Sequence, residues 1–479
     1  MTRFFSSVIG LLFFAHLSWA QGYEIKIQIS GYEEDELYLA YYYGDKQYIK
    51  DTVTIAAEGE KGHFVFAGDE PLAGGVYLAV MKPNNDFFQF VVDEKNQQFE
   101  LKTDKVNPND HMKVIGSKDN AAFFQYLQYL EKKRPMAEEL KTQLEAAKDD
   151  EKKSAKLQQQ LDDLNKEVSD YQKKVVKDNP GTMTSAIIRA NLPIDMPEFK
   201  GEGDDLKVQQ WRYTQHHYFD NLDLGDPRML RTPFLFQRLE HYVNKMVVQH
   251  PDTIALAIDE VLEPMQKSEE TFRYYLIHYL NSFARSKLVG MDAVYVHLVD
   301  HYYAKGLASW TDPDQLKKII DNANTLRPLL IGKIAPDIRL QKRDGTPISL
   351  HEVDSEYTVL YFWRYDCGHC KKSTPFMKDF YEKYKDKGVK IIAVCTKYQD
   401  EIPGCWEYID ENGIQDWLHT VDPTGRSRYA QIYDIQSTPQ IYILDRNKEI
   451  LTKRIAAEQI EEVMDKIIEM KQREKEAGN

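Results

Sequence analysis

Two cysteines with two residues between them, Cys367 and Cys370, are the side chains in this sequence that most clearly suggest chemistry. They follow an apolar run at 357–363, which predicts a strand that delivers both thiols to the first turn of a helix. The unpaired N–H groups and the partial positive charge at a helix N-terminus favour a thiolate there. Two thiols at this spacing can close a disulfide and open it again. The pattern therefore indicates thiol–disulfide redox chemistry.

Strands and helices alternate around this pair from Ile334 onward. A strand–helix–strand opening, followed by a late hairpin and a closing helix, is typical of an α/β layout. The predicted strands are 357–363, 390–396, 440–445 and 449–455. The predicted helices are 370–386, 401–413, 425–433 and 458–475.

This C-terminal part resembles the TlpA-like and ResA-like thiol–disulfide oxidoreductases of bacterial envelopes, which belong to the thioredoxin superfamily. The resemblance is carried by Ala335-Pro336-Asp337, Phe362-Trp363, Cys367-Gly368-His369-Cys370, Pro375 and Thr438-Pro439. A lone C-x-x-C pair would be a weaker signal, because zinc sites also use it. The resemblance implies a thioredoxin fold over 334–475 and an enzyme that exchanges disulfides with cysteine-containing protein substrates. We expect neither a cofactor nor a metal.

The resemblance also assigns roles to the residues of the motif. Cys367 is the more exposed thiol and the expected nucleophile, and Cys370 is the resolving thiol that releases the reduced substrate. Gly368 and His369 lie between them and are expected to tune the redox potential, because a stabilised thiolate makes the disulfide a stronger oxidant.

Three further residues are expected to form the substrate-binding region. Pro439 matches the cis-proline of the family, which brings the backbone of Thr438 against the cysteine pair. That backbone can pair with an extended substrate strand. Trp363 is expected to pack under the active-site turn.

The chain departs from the family pattern at the proton acceptor for Cys370. Thioredoxins bury an acidic residue in the strand before the motif, where this chain has Tyr361. ResA-like proteins carry a glutamate just after the next strand, and Glu401 is the candidate in this chain. Asp366 is interpreted as the N-cap of the helix, although its carboxylate would also raise the pKa of the neighbouring thiol.

The other two cysteines, Cys395 and Cys405, lie close to the motif in sequence. Cys395 ends an apolar run and is interpreted as a buried thiol, whereas Cys405 opens a helix. A disulfide between them is an alternative, because the ten-residue spacing allows closure. A redox relay with the active pair is a third reading.

The residues before this domain divide into two predicted accessory domains, which makes the whole chain a multidomain α+β protein. Over 21–105, apolar residues alternate with period two, which predicts an antiparallel β-sandwich. Over 106–333 the period is helical, which predicts an all-helical domain. A heptad stripe at 157–175 favours an amphipathic hairpin within this domain and leaves a dimerising coiled coil as the alternative.

Residues 1–20 have the features of a signal peptide, with Arg3, a short apolar core, and small residues at Ser18 and Ala20. We expect cleavage near Ala20, a periplasmic protein without a membrane span, and a redox partner in the membrane or envelope. The net charge of −14 and the absence of a basic tail argue against nucleic acid as a partner.

Other functional classes fit the sequence less well. A peroxiredoxin needs a threonine three residues before the nucleophile, where this chain has Arg364. A metal site at His297 and His301 is disfavoured, because no third ligand lies at a suggestive spacing. The alternative that stays open is an envelope binding or scaffold protein, in which the N-terminal domains recognise a partner and the redox domain is secondary.

Overall fold

The computed structural model of the protein describes residues 22–55 and 61–477. The predicted signal peptide and its cleavage site therefore lie outside the described residues. The chain divides into two compact units. Unit 1 runs to Met246 and includes Glu263–Phe272, and unit 2 consists of Val247–Leu262 and the chain from Arg273 onward. The domain boundaries expected near 105 and 333 fall inside these units and remain predictions.

Unit 1 begins with two four-stranded β-sheets, whose strand orders are β4-β1-β7-β8 and β3-β2-β5-β6. The strands are β1 (Tyr23–Ser30), β2 (Glu36–Tyr43), β3 (Lys46–Thr54), β4 (His63–Gly68), β5 (Gly75–Met81), β6 (Asp86–Val92), β7 (Gln98–Asp104) and β8 (Lys113–Ile115). Phe90 on β6 and Phe99 on β7 meet edge to face with ring centroids 6.1 Å apart, so the two sheets contact each other. The predicted sandwich is confirmed, with one difference: β1 and β7 pair in parallel.

Helices follow the sheets in unit 1. They are α1 (Lys118–Ala146), α2 (Glu151–Asp178), α3 (Met183–Ala190), α4 (Gly203–His216) and α5 (Leu235–His241). The heptad stripe lies on α2, where Leu157, Leu161, Leu164 and Val175 are buried. Tyr171 of α2 stacks on Tyr129 of α1 with ring centroids 3.9 Å apart. The stripe thus packs against a neighbouring helix of its own chain.

Two helices, α6 (Pro251–Met265) and α7 (Glu269–Ala284), contribute residues to each unit. Unit 2 continues with α8 (Asp292–Leu298) and α9 (Pro313–Leu326). These helices complete the helical region that was predicted from the 3.6-residue period. In the part of the chain that the structure describes, no helix is both long enough and apolar enough to cross a bilayer.

The rest of unit 2 is a seven-stranded mixed sheet covered by helices, with strand order β10-β9-β13-β12-β11-β14-β15. Its strands are β9 (Arg339–Gln341), β10 (Pro347–Ser349), β11 (Tyr357–Trp363), β12 (Val389–Cys395), β13 (Leu418–Val421), β14 (Gln440–Leu444) and β15 (Ile450–Lys453). Its helices are α10 (Gly368–Tyr384), α11 (Ile402–Asn412), α12 (Tyr429–Ile432) and α13 (Ile460–Ala477). The central strands β11, β12 and β13 are parallel, and β14 and β15 are antiparallel.

The central strand β11 is buried along its whole length because both faces of the sheet are covered. Tyr361 and Trp363 face one hydrophobic core with α10, α11 and α13. Leu360 and Phe362 face a second core on the opposite side. Because successive side chains of β11 enter these two opposite cores, the strand ends at the centre of the domain, directly before the loop that carries the two cysteines.

Candidate functional site

The first cysteine sits at the junction between strand and helix. After β11 ends at Trp363, a short loop leads to α10, and Cys367 is the N-cap residue of that helix. Its sulfur accepts a hydrogen bond from the backbone N–H of Cys370 at 3.4 Å. The N-cap role that the sequence suggested for Asp366 is therefore wrong, because the thiol sulfur itself satisfies one of the free N–H groups of the first turn.

The two thiols have very different environments. Cys367 is partly exposed, whereas Cys370 is fully buried in the core of the domain. Beneath them, the backbone carbonyl of Cys370 accepts a hydrogen bond from the Thr374 hydroxyl at 3.0 Å. That hydroxyl also lies 3.0 Å from the Tyr408 hydroxyl. The first turn is thereby held by side chains of α10 and α11.

The pKa values of the two thiols move in opposite directions. Burial tends to raise the pKa of Cys367. Hydrogen bonds from the N–H groups of Cys370 and His369, and from the side chains of Cys370 and Thr438, outweigh burial, so the pKa of Cys367 is lowered. Burial raises the pKa of Cys370 to about 12. One thiol is thus prepared to ionise and the other is kept protonated.

The loop before β14 forms the opposite wall of the site. The Cys367 thiol donates a hydrogen bond to the backbone carbonyl of Thr438 at 3.3 Å. The peptide bond between Thr438 and Pro439 is cis, as the sequence predicted, and both residues are partly exposed. Gly368 and His369 are exposed on the first turn of α10. An incoming chain could therefore reach Cys367 and the Thr438 backbone together.

Aromatic side chains support the site from below. Trp363 is 1% exposed and packs against Tyr408 with ring centroids 5.4 Å apart. This burial gives Trp363 a supporting position under the turn rather than a place on a substrate-binding surface. Tyr361, which stands where thioredoxins bury an acid, is also buried, and its hydroxyl has no hydrogen-bond partner among the described residues. Burial, with smaller effects from Cys370 and Tyr408, raises the pKa of Tyr361, so the hydroxyl stays neutral.

Several known proteins are similar to the C-terminal part of this chain. A family described as Redoxin matches residues 330–468. The thiol-disulfide oxidoreductase ResA of Oceanobacillus iheyensis is 30% identical over 124 residues, which are 25% of this chain and 62% of that protein. ResA of Bacillus cereus is 29% identical over 146 residues, which are 29% of this chain and 78% of that protein. A solved domain of a possible thiol-disulfide isomerase from Cytophaga hutchinsonii is 34% identical and covers 30% of this chain and 97% of that chain, with a TM-score of 0.29.

Residues 330–468 thus match the Redoxin family and are similar to ResA proteins, which supports the TlpA/ResA-like resemblance of this domain to the thioredoxin superfamily. Both relatives are named thiol-disulfide oxidoreductases, and the thioredoxin domain is the part of this chain that they match. Two further families, both described as domains of unknown function (DUF4369 and DUF5106), match residues 23–123 and 151–325. The thioredoxin domain is thus preceded by regions whose families carry no described activity.

The glutamate expected to accept a proton in this ResA-like domain is engaged elsewhere. Glu401 lies at the start of α11, and its carboxylate forms an ion pair with Lys397 at 2.5 Å. The groups that act on the Cys370 sulfur are the backbone of Arg364, the Thr438 side chain and Cys367. The structure therefore places Glu401 with Lys397 and not with the resolving thiol.

The second cysteine pair of the thioredoxin domain is a disulfide. Cys395 at the end of β12 is bonded to Cys405 in the first turn of α11, with Cα atoms 6.4 Å apart. The interpretation of Cys395 as a buried free thiol is therefore wrong. The sequence shows that the two cysteines are ten positions apart, but the fold of the segment between β12 and α11 is what brings the two sulfurs together.

The histidine pair considered for a metal is part of a hydrogen-bonded cluster in unit 2. His297 contacts the Asp259 carboxylate through Nε2 at 2.8 Å, and Tyr302 donates a hydrogen bond to the same carboxylate at 2.7 Å. His301 stacks on His297 with ring centroids 3.9 Å apart. Within residues 22–55 and 61–477, no group of three or more His, Cys, Asp or Glu side chains could hold a metal ion.

Proposed function

We propose that the thioredoxin domain is the redox centre of a thiol–disulfide oxidoreductase that exchanges disulfides with protein substrates through Cys367 and Cys370, acting as a reductant or an isomerase. The observation that carries this proposal is the asymmetry of the two thiols. Cys367 is partly exposed and surrounded by hydrogen-bond donors, whereas Cys370 is buried one turn further along α10. This is the arrangement that a nucleophile and a resolving thiol require.

The exchange takes place in two steps. The Cys367 thiolate attacks one sulfur of a substrate disulfide, which forms a mixed disulfide and releases the other substrate sulfur as a thiolate. Cys370 then loses its proton and attacks the Cys367 sulfur, which forms the Cys367–Cys370 disulfide and releases the second substrate sulfur. The substrate gains two electrons and two protons, and the domain loses them. For isomerisation, the released substrate thiolate attacks a second disulfide of the substrate, and the thiolate set free there attacks the substrate sulfur of the mixed disulfide, which forms a new substrate disulfide and restores the Cys367 thiolate.

Thr438 is proposed to orient the substrate. Its carbonyl lies 3.3 Å from the Cys367 sulfur, and the residue is partly exposed in the loop just before β14. An extended substrate segment beside this backbone would present its disulfide to the nucleophile, as in strand addition to a sheet edge. Pro439 has no backbone N–H group to offer a substrate strand, so the backbone of Thr438 is the pairing partner.

Reduction of insulin by the full-length protein tests the assignment, with dithiothreitol as the electron donor. Cys367→Ser is expected to reduce the rate to the level of dithiothreitol alone. Cys370→Ser is expected to lower turnover but to accumulate a mixed disulfide at Cys367, because the first step needs only the nucleophile. Equal activity in the wild-type protein and in Cys367→Ser would refute the proposal.

We also infer that the protein is exported to the periplasm. The signal-like residues 1–20 motivate this inference, and the Cys395–Cys405 disulfide supports it, because such bonds persist in oxidising compartments. The expected result is a mature chain that begins near Gln21 in the periplasmic fraction, measured by mass spectrometry. An intact Met1 in the cytosolic fraction would contradict it.

The N-terminal regions are proposed to recognise a protein partner without covalent chemistry, since all four cysteines lie between 367 and 405. Partners captured by Cys367→Ser and by the wild-type protein from an envelope extract are compared after treatment with a thiol-blocking reagent. Retention of the same partners by the variant is expected. Loss of every partner with Cys367 would leave the redox domain as the sole recognition element.

A further inference from the structure

We propose that Lys397 is a positioning residue of the redox centre, which acts together with Arg364 to clamp the Asp366 carboxylate and so to shield the neighbouring Cys367 thiolate from its negative charge. The inference rests on the proposed function, since it concerns the same nucleophile. It explains why a carboxylate can stand directly before the first cysteine without suppressing its ionisation.

The sheet topology delivers Lys397 to the site. β11 and β12 run in parallel, and Trp363 is in register with Cys395. Beyond the strand ends, the Thr396 N–H donates a hydrogen bond to the Trp363 carbonyl at 2.8 Å. The carboxyl ends of parallel strands meet at one edge of a sheet, so the residue after Thr396 lies beside the loop that carries the nucleophile.

Lys397 is held tightly in this position. Its side chain is only 10% exposed, and its ammonium group contacts Asp366 Oδ2 at 2.9 Å and Glu401 Oε1 at 2.5 Å. The same nitrogen lies 5.4 Å from the centre of the Tyr365 ring. On the other side, Arg364 Nε contacts Asp366 Oδ1 at 2.9 Å. Both carboxylate oxygens of Asp366 therefore face a cation.

The charges around Cys367 balance as a consequence. The loop contributes Arg364 and Asp366, and the segment after β12 contributes Lys397 and Glu401, which gives two cations and two carboxylates. Other titratable side chains close to Cys367 include those of Cys370 and the exposed His369 on α10, of Tyr365 in the loop, and of the neutral Tyr361 of β11 beneath the site.

The titration behaviour of the clamp supports this balance. Partial burial opposes ionisation of Asp366, but the hydrogen bond from Lys397 and the charges of Lys397 and Arg364 outweigh it and hold the Asp366 pKa below its usual range. Hydrogen bonds to Glu401 and Asp366 raise the pKa of Lys397. Asp366 and Lys397 thus stay ionised near neutral pH, while burial and hydrogen bonds set the direction of the Cys367 pKa shift.

The test measures the pH dependence of alkylation at Cys367 in the reduced full-length protein, with the modified residue identified by mass spectrometry. Lys397→Met keeps the length of the side chain but leaves the cluster with one uncompensated carboxylate. The pH of half-maximal alkylation is expected to rise by about 0.5, which corresponds to about threefold less thiolate at neutral pH. Lys397→Arg keeps the charge and is expected to retain the wild-type profile.

Two further variants separate electrostatics from structure. Combining Lys397→Met with Asp366→Asn removes one charge of each sign, so the profile is expected to return toward that of the wild type. Lys385→Met is the matched control, because Lys385 forms a comparable pair with Glu382 at 2.5 Å at the far end of α10. This control is expected to leave the profile unchanged.

An unchanged profile in folded Lys397→Met would overturn the inference, because a merely structural ion pair would alter stability and not the thiol. If that variant does not fold, Asp366→Asn decides the question: it should lower the half-maximal pH, and an unchanged value again overturns the clamp. A wild-type Cys367 that resists alkylation would instead count against the proposed function itself, so the two failures are distinguishable.

Discussion

The Cys395–Cys405 disulfide gives a direct test of how the thioredoxin domain is held together beside its redox site. The bond closes a ten-residue interval between the end of β12 and the first turn of α11, and the two side chains are 1% and 0% exposed. In the chain-entropy description, a loop of this length restricts the unfolded state by about 2.5–3 kcal/mol. Reducing this bond should therefore lower the free energy of unfolding of the domain by about that amount.

The measurement needs a background in which no other cysteine responds to the reductant. Cys367→Ser combined with Cys370→Ser supplies it, since only Cys395 and Cys405 then remain. Urea unfolding followed by tryptophan fluorescence reports on this region, because Trp363 belongs to the same core as the disulfide. Unfolding curves are compared for the oxidised protein and for the protein reduced in denaturant and refolded with dithiothreitol.

A second consequence of burial concerns rates. Both sulfurs are inaccessible in the folded domain, so a mild reductant should open the Cys367–Cys370 pair of the wild-type protein well before Cys395–Cys405. Differential alkylation with mass spectrometry resolves the two pairs. Equal unfolding midpoints for the oxidised and reduced forms, or simultaneous reduction of both pairs, would refute the assignment of this bond as a structural element.

Further predictions concern packing and charge in unit 2. Asp292→Asn leaves the Lys453 ammonium group without its carboxylate partner, and the Lys453 side chain is only 3% exposed. We expect the free energy of unfolding to fall by about 3 kcal/mol in chemical denaturation. An unchanged denaturation midpoint would contradict this. Gly404→Ala places a Cβ 2.6 Å from the Tyr365 ring, so the loop before Cys367 must move. We expect the free energy of unfolding to fall by about 1 kcal/mol and insulin reduction to slow down. Wild-type values for both would show that the Tyr365 ring can shift without cost. Because hydrogen bonds outweigh burial and lower the pKa of Cys367, its alkylation should be half-maximal at a lower pH than that of a free cysteine, whose pKa is about 8.5. A half-maximal pH above that of a free cysteine would contradict this interpretation of the site.

The central part of the thioredoxin domain could be predicted from local signals. The apolar run at 357–363 is β11 residue for residue, because a strand covered on both faces needs an uninterrupted apolar sequence. The helix after it begins at Gly368, two residues earlier than predicted, since the Cys367 sulfur caps it. The short strand β13 (Leu418–Val421) was not predicted, because the polar residues His419 and Thr420 interrupt its apolar sequence, although both are buried.

Features that depend on distant pairs could not be predicted in the same way. Asp366 resembles a helix cap when only its neighbours in sequence are considered. Its actual partner Lys397 is 31 positions away and is brought close only by the parallel pairing of β11 with β12. The pairing of Cys395 with Cys405 likewise depends on the direction in which each side chain leaves its element, which composition and spacing do not determine.

The proton on Cys370 shows what the departure from the thioredoxin pattern means for the proposed chemistry. The position of the usual buried acid is occupied by the neutral Tyr361, and Glu401 is paired with Lys397. Two groups among the described residues form hydrogen bonds to the Cys370 sulfur that favour its thiolate: the Arg364 backbone and the Thr438 side chain. Neither of them can accept the proton of Cys370 at neutral pH. A base that the reaction itself supplies is the substrate thiolate released in the first step. Transfer of the Cys370 proton to that substrate sulfur would couple release of the substrate to the attack by Cys370. The rate of the resolving step in this chain would then depend on the pKa of the substrate thiol more strongly than in a domain with a buried acid.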